Sequence, residues 1–213
     1  DENVLKAKSV ALNNIGLIYH EVKDFPAALA KFKESLHLRQ QLNDSSFIAH
    51  SYNYLGNVYT KLKELDSAEK CYNLSLALYK KINAIADAGR VMMNIGKLYI
   101  EKSDKQKSIQ YKHDAIDLFL TNNKLYHAAD AMTELAEFHK KEKNLQEAFM
   151  HSTAAYDIAT ENKFTAIRQR SLKLLSDISL IDNNTPDAYK YLKIYDDLKD
   201  SIVQQEAQRK LVN

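Results

Sequence analysis

The chain has few of the residues that interrupt helices or link segments covalently. Its 213 residues include four glycines, two prolines and one cysteine. So few turn-forming residues argue against a sheet-rich protein with many tight turns. The single cysteine, Cys71, excludes an intrachain disulfide and a thiolate cluster for a metal. Ala, Leu and Lys are frequent instead, so the composition predicts an all-α protein.

The chain also lacks an excess of charge and a long apolar run. The formal net charge is +2, and both signs are mixed along the sequence, so there is no broad basic surface for nucleic acid or an anionic membrane. No run approaches the roughly 20 apolar residues that span a bilayer. We therefore expect no nucleic-acid partner and no membrane span in this segment.

The most informative pattern is a period of 40 residues. Positions that differ by a multiple of 40 residues form a column. Two columns contain small residues, a third contains asparagines, and a fourth contains both prolines. The columns are Gly16, Gly56, Gly96, Ala136 and Ser176; Ala28, Ala68, Ser108, Ala148 and Ala188; Asn3, Asn43, Asn83 and Asn123; and Pro26 with Pro186. A fixed period of this length indicates stacked repeat units. We place the units at about 4–43, 44–83, 84–123, 124–163 and 164–203, followed by 204–213.

Each unit is predicted to be a pair of antiparallel helices. In the second unit, apolar residues at helical spacing form one face over residues 47–62 and another over residues 68–82. Asp66 and Glu69 match a capping signature that predicts the start of the second helix. Asn83 is expected to end that helix, because asparagine tolerates the left-handed conformation that closes a helix.

The small columns predict where the two helices of a unit cross. Gly56 and Ala68 are expected at the crossing, where small side chains let the backbones approach, with Tyr59 and Tyr72 around it. A further column supplies an acid or amide at the start of each second helix, where backbone N–H groups lack partners. Its members are Asp24, Glu64, Asp104, Asn144 and Asn184.

These motifs resemble the tetratricopeptide repeat. The matching segments are Ile15-Gly16-x-x-Tyr19, Leu55-Gly56-x-x-Tyr59, Ile95-Gly96-x-x-Tyr99, Ala28-x-x-x-Phe32 and Ala68-x-x-x-Tyr72. The usual unit has about 34 residues, so this version has longer helices. The resemblance implies an all-α, right-handed superhelical solenoid of antiparallel helix pairs, with five repeats and an extended C-terminal helix. The fourth and fifth units fit by register more than by residue type.

The resemblance also implies a concave groove along the first helices that binds a protein or peptide. The matching positions are Asn13, His50, Asn53, Asn57, Arg90, Met93, Lys97, Asp130 and Glu137. The amides of Asn13 and Asn53 share a column and can pair with the backbone of an extended peptide. Arg90 and Lys97 can hold a carboxylate. Asp130, Glu137 and also Asp177 give the later groove the opposite sign, which suits a peptide bound in one direction.

No catalytic, cofactor or metal site is predicted. None of the seven histidines has the spacing of a helical metal-binding pair, and every glycine falls in a helical column rather than in a phosphate-binding loop. Cys71 occupies an apolar position, so we interpret it as a packed side chain rather than a nucleophile. The segment is therefore not expected to be an enzyme.

The two ends of the chain carry separate predictions. Asn3 belongs to the column of helix-ending asparagines, which predicts a further helical unit before residue 1. The last helix starts at Thr185 and meets no stop signal, so 204–213 is either a polar cap or the start of a helical connector. Its exposed flanks can pair two copies in a homodimer.

Residues 191–203 resemble the exit of repeat sensor domains in bacterial membrane-bound signalling proteins, where a long helix leads to a histidine kinase or a helix-turn-helix regulator. That resemblance implies a sensor or regulatory-input region of two-component type, on the periplasmic side of a membrane-anchored protein, with the cytoplasm as the alternative. A free-standing protein-interaction scaffold and an intracellular receptor for a short signalling peptide remain open as alternatives.

Overall fold

The structure, a computed structural model, describes the backbone of residues 1–212 and the side chains of residues 1–204 and 208. The described residues form ten helices and no strand. The helices α1 to α10 are, in order, Glu2–Glu21, Phe25–Gln41, Ser45–Lys61, Leu65–Lys81, Ile85–Glu101, Lys105–Thr121, Leu125–Lys141, Leu145–Glu161, Thr165–Ile181 and Thr185–Val212. The predicted all-α class is confirmed, and the described helices follow one another along the chain as five pairs.

The helix pairs are grouped in two compact units. Unit 1, Asp1–Asn122, contains the pairs α1–α2, α3–α4 and α5–α6. Unit 2, Asn123–Asn213, contains α7–α8 and α9–α10. Within a unit, the second helix of a pair also packs on the first helix of the next pair, as α2 does on α3 and α8 on α9. Each unit is thus held together by contacts between sequence neighbours, as expected for a repeat array.

Every loop between two helices has the same geometry. One residue in each loop has a positive φ, between 52° and 64°, and these residues recur at half the repeat period. After α1, the N–H of Lys23 donates to the carbonyl of His20 and the N–H of Asp24 donates to the carbonyl of Tyr19, which closes the helix. Asn83 takes this position after α4, with a φ of 54°, so its predicted role is confirmed.

The predicted column of acids and amides lies at the N-termini of the second helices. Asp24 and Asp104 each accept a hydrogen bond from a backbone N–H of the first turn, at 3.1 and 3.0 Å. The capping prediction for Asp66 and Glu69 was wrong. Glu64 is the N-cap of α4, and Asp66 and Glu69 instead accept hydrogen bonds from Lys102 on α5.

The small column makes room for a side chain of the paired helix, which refines the prediction of close backbone contact. A Cβ on Gly16 would lie 2.7 Å from the ring of Phe32, and one on Gly56 would lie 2.6 Å from the ring of Tyr72. Cys71 is half-buried beside Tyr72, and burial raises the pKa of its thiol to about 11. A thiol with such a pKa is a weak nucleophile at neutral pH.

The first and last helices differ from the others in length. All helices from α2 to α9 have 17 residues, whereas α1 has 20 and α10 has 28. Asn3 lies inside the first turn of α1, where its N–H donates to Asp1, and the further helical unit expected before residue 1 stays a prediction. The backbone of α10 is helical to Val212, but most side chains of 204–213 lie outside the described residues, and the choice between cap and connector stays a prediction.

Candidate functional site

Two amides meet between the first helices of the second and third pairs. The Nδ2 of Asn94 on α5 donates to the Oδ1 of Asn53 on α3, at 3.0 Å, and both side chains are half-buried. Within the described residues, the Asn53 NH2 group and the Asn94 carbonyl oxygen make no other hydrogen bond. The pair therefore presents one donor and one acceptor side by side. Asn53 was among the predicted groove residues, and Asn94 was not.

Asn13 occupies the column of Asn53, but its surroundings differ. Its side chain is only 7% exposed, and its Oδ1 has no hydrogen-bond partner among the described residues. A buried acceptor without a donor destabilises a fold by about 1–3 kcal/mol. Asn53 pairs with Asn94 rather than with Asn13.

Asn57 takes part in the packing of its own helix pair. Its Oδ1 accepts a hydrogen bond from the hydroxyl of Tyr72 at 2.7 Å. Burial raises the pKa of Tyr72 to about 12, so the phenol stays protonated and remains a donor. The Asn57 oxygen is therefore already used within its helix pair. Met93 is buried, with 6% of its surface exposed.

His50 lies among aromatic rings. Its centroid is 6.5 Å from that of Tyr54 and 5.5 Å from that of Tyr79. Burial lowers the pKa of His50. Nearby Asp87 raises this pKa and Arg90 lowers it, and both effects are smaller than that of burial. The imidazole is therefore neutral at pH 7 and adds an aromatic, uncharged surface to unit 1.

The two predicted cations of unit 1 lie on α5. Arg90 is exposed and forms an ion pair with Asp87 of the same helix. Lys97 is also exposed. An ion pair within one exposed helix is weak, with a contribution of about 0.3–0.5 kcal/mol, so a ligand carboxylate can compete for Arg90.

In unit 2, the predicted acidic residues already have a cationic partner. Arg170 on α9 donates from Nη1 to Asp130 and from Nε to Glu137, both on α7, and each distance is 2.9 Å. The hydrogen bond to Glu137 raises the pKa of Arg170 further. The expected acidic surface is therefore an ion-paired cluster.

The same helices of unit 2 border an open cleft of about 470 Å³. Asp177 accepts from Lys140 at 3.0 Å and lies 3.3 Å from Lys173. The lining contains four basic and two acidic side chains together with Tyr195 of α10. The cleft is therefore more basic than acidic, which differs from the sign that the sequence predicted for this part of the groove.

The residues that the sequence missed share one signal. Arg170 follows Asp130 by 40 positions, and Asn94 follows Asn53 by 41. Polar groups one repeat apart therefore meet on neighbouring first helices. Comparing each polar residue with the residues 40 and 41 positions later in the sequence would have identified both pairs.

Two further features of the described residues bear on the kind of site. In the described part of the chain, no group of three or more His, Cys, Asp or Glu side chains is arranged to hold a metal ion. Among the described helices, none is both long enough and apolar enough to span a membrane.

Comparison with known proteins identifies the repeat. The tetratricopeptide repeat family matches residues 8–81, and the soluble NSF attachment protein family matches residues 48–212, which is most of the chain. Among curated proteins, none matches by sequence. Tetratricopeptide-like folds are generally non-catalytic.

Solved structures share the fold at low sequence identity. BtubC (BKLC) from P. vanneervenii is 14% identical with a TM-score of 0.76, over 93% of this chain and 82% of that one. Aspartyl phosphate phosphatase F from Bacillus subtilis is 12% identical with a TM-score of 0.67, over 91% and 60%. The Rap conjugation gene regulator of plasmid pLS20, in complex with the Phr* peptide, is 14% identical with a TM-score of 0.66, over 93% and 55%.

The family matches agree with the 40-residue period and with the helix pairs of both units. The chain is therefore a tetratricopeptide-repeat interaction scaffold that belongs to the soluble NSF attachment protein family.

Proposed function

We propose that unit 1 binds an extended peptide along α3 and α5. We further propose that the chain is the sensor or regulatory-input region of a bacterial signal-transduction protein of the two-component histidine kinase type. The observation that carries the binding proposal is the Asn53–Asn94 pair, which presents an unused amide donor beside an unused acceptor.

The chemistry of this pair suits a peptide backbone. A peptide unit offers one N–H donor and one C=O acceptor, and the side-chain amides of Asn94 and Asn53 offer the complementary groups. Neutral amides hold the backbone without selecting a side chain, so affinity comes from the main chain and specificity from the neighbours. His50 supplies an aromatic neighbour. Arg90 and Lys97 favour an acidic side chain or a terminal carboxylate.

The structural relatives support a peptide as the ligand class. The Rap regulator of pLS20 was solved in complex with the Phr* peptide. That relative favours an intracellular receptor for a short signalling peptide as the second candidate. A free-standing scaffold is the third.

The regulatory-input role rests on α10 and on its resemblance to the exit helix of repeat sensors. The helix is 28 residues long and packs on α9, so it spans about 42 Å at 1.5 Å per residue. A continuous helix of this length is suited to carry a displacement from a binding unit to an output domain. The sequence of the full-length polypeptide distinguishes the three candidates, since a kinase, a DNA-binding domain or neither would accompany this chain.

The binding proposal is tested with a displayed library of random short peptides. The tightest binder is then titrated against Asn53→Ala, Asn94→Ala and the double variant. We expect each single variant to weaken binding by roughly fivefold, since one hydrogen bond contributes about 1 kcal/mol. The double variant should lose less than the product of the two, because both amides contact the same peptide unit.

Asn73→Ala is the matched control, because Asn73 is an exposed asparagine on α4. Circular dichroism of each variant reports whether the fold is kept. Unchanged binding by the Asn53 and Asn94 variants would contradict the proposal, as would an equal loss in Asn73→Ala.

A further inference from the structure

Unit 2 has a second open cleft, at the edge where α9 ends and α10 begins. Its volume is about 420 Å³, and its lining residues come from α8, α9, α10 and the loop between α9 and α10. Phe149 and Ile178 are apolar members of the lining, and Ser179, Asp182 and Asp187 are polar members. Three consecutive helices thus form this feature, which we call the α8–α10 cleft.

The same place in unit 1 is filled by a tyrosine. The residue two 40-residue periods before Ser179 is Tyr99, which is 8% exposed. The Tyr99 ring stacks on Tyr111 with centroids 5.5 Å apart, and its hydroxyl donates to Glu69 at 2.7 Å. A serine is too short to fill the space of this ring. The α8–α10 cleft therefore has room for a flat group at the position of the missing ring.

Aromatic walls border this space. Tyr191 occupies the column of Tyr111, and Phe149 occupies that of Glu69. The centroids of the Phe149 and Tyr191 rings are 6.2 Å apart, with an angle of 64° between the planes. Phe149 also packs against the buried cluster that contains Ile178. The walls are thus held by the core of unit 2, and a flat group in the cleft would lie beside aromatic rings.

The charges around this space are the opposite of those in unit 1. There, the ammonium of Lys107 lies over the Tyr99 ring at 5.1 Å, and Lys102 donates to carboxylates of α4. The residues two periods later are Asp187 and Asp182, and no lysine or arginine is among the residues that line the α8–α10 cleft. The face of an aromatic ring is negative, so a carboxylate beside it is unfavourable. These charges disfavour a tyrosine ring in the cleft and favour a cation.

The polar groups of the cleft include two without a bond to another described residue. Ser179 is 3% exposed and lines the cleft, and its hydroxyl makes no hydrogen bond with the described residues. The carboxylate of Asp182 likewise makes no hydrogen bond or ion pair with them. Asp187 accepts one hydrogen bond, from Asn184 at 2.7 Å. A ligand that carries several donors can therefore use a buried hydroxyl and two carboxylates.

We propose that the α8–α10 cleft binds an arginine side chain of a partner protein. A guanidinium is planar and always charged, so it can stack on an aromatic ring and donate two parallel hydrogen bonds to a carboxylate. The ammonium of lysine is not planar, and tyrosine has no positive charge. This second site lies in unit 2, and its test does not depend on the Asn53–Asn94 pair of unit 1.

The proposal is tested by titrating N-acetylarginine amide into the isotope-labelled full chain and following the backbone amides by NMR. We expect saturable shifts at the amides of Phe149, Ser179 and Asp182, with a Kd on the order of a millimolar, because the probe is small. The citrulline derivative has nearly the same shape without the charge. The citrulline, lysine and tyrosine derivatives should each bind at least roughly tenfold more weakly.

Three variants locate the binding site. Asp182→Asn should weaken binding by roughly tenfold, because it removes a charged acceptor. Asp200→Asn is the matched control, since Asp200 is exposed on α10, about 20 Å further along the helix than Asp187, and it should leave binding unchanged. Ser179→Tyr restores the ring that unit 1 has in this column and should abolish binding. Circular dichroism should show equal helicity in all variants.

Several outcomes would overturn the proposal. Equal or tighter binding of the citrulline, lysine or tyrosine derivative would show that the cleft does not select arginine. Tighter binding of free arginine than of the capped form would identify a small molecule, rather than a side chain of a partner protein, as the ligand. Unchanged affinity in Asp182→Asn, or an absence of shifts at the cleft, would show that this is not the site.

Discussion

Gly56 on α3 lies directly against the ring of Tyr72 on α4, where a Cβ would come within 2.6 Å of the ring carbon Cδ1. The ring is 2% exposed, and its hydroxyl donates to Asn57 at 2.7 Å, so it has no room to withdraw. The fourth repeat has the opposite combination, with Ala136 in the column of Gly56 and Ser152 in that of Tyr72. A larger residue on one helix is thus matched by a smaller one on the other.

The first prediction is that Gly56→Ala lowers the free energy of unfolding by up to about 2 kcal/mol. Overpacking costs about 1–3 kcal/mol, and the better helix propensity of alanine offsets about 1 kcal/mol of it. Urea denaturation measures the change. In a Tyr72→Ser background the same substitution should be neutral or stabilising. Equal destabilisation in both backgrounds would show that the ring is not the cause.

The second prediction concerns a buried guanidinium between repeats. Arg39 on α2 is 3% exposed and donates to the Ser51 hydroxyl at 2.8 Å and to the Phe47 carbonyl at 3.1 Å. Burial lowers its pKa. We expect Arg39→Met to cost about 1 kcal/mol or less, because the apolar chain removes a buried charge. Arg39→Lys should cost about 2–3 kcal/mol, since lysine keeps the charge without the fork of donors. Urea denaturation of both variants checks the order, and the reverse order would contradict it.

The fold could be predicted from the sequence because one constraint recurs in every repeat. The 40-residue period places each small residue, each helix-ending asparagine and each polar cap in register, so weak signals from successive repeats reinforce one another. The loops after the first helices gave no such signal. Lys23 and Lys63 take the left-handed conformation there, although lysine has no preference for it, because the geometry of the repeat imposes it.

The candidate site could be predicted only in outline. The column position of Asn53 was visible in the sequence, but its hydrogen bond to Asn94 depends on how two first helices are offset. Asp66 has the spacing of a cap and instead binds Lys102, because Glu64 already occupies the N-cap position. Interactions between repeats decide these roles, and a pattern within one repeat does not contain them.

The third prediction concerns the ion-paired cluster of unit 2. Removing the cation in Arg170→Ala leaves the carboxylates of Asp130 and Glu137 without their shared partner. The Arg170 side chain is 38% exposed, so we expect a loss of about 1 kcal/mol or less. The loss should shrink as salt is raised, because exposed charges are screened. Thermal unfolding at low and high salt measures it.

Two variants control this measurement. Lys173→Ala removes a cation whose contact lies within its own helix, and it should change stability less than Arg170→Ala. Adding Asp130→Asn and Glu137→Gln to Arg170→Ala should recover the stability lost at low salt. No recovery would show that the Arg170 stem, rather than its charge, supports the packing.

The fourth prediction is a dependence of stability on pH that passes through His50. Burial lowers the pKa of His50 below its ordinary value of 6.5, so below that pH the unfolded chain binds a proton that the folded chain does not. The contribution of His50 to the free energy of unfolding is therefore fully present above pH 6.5 and is lost as the pH falls toward the lowered pKa. Urea denaturation between about pH 7 and pH 5 should show a smaller fall in His50→Gln than in the unmodified chain. His20, whose pKa burial also lowers, should leave a residual slope. His37→Gln, on an exposed position of α2, should behave like the unmodified chain, and an unchanged slope in His50→Gln would refute the assignment.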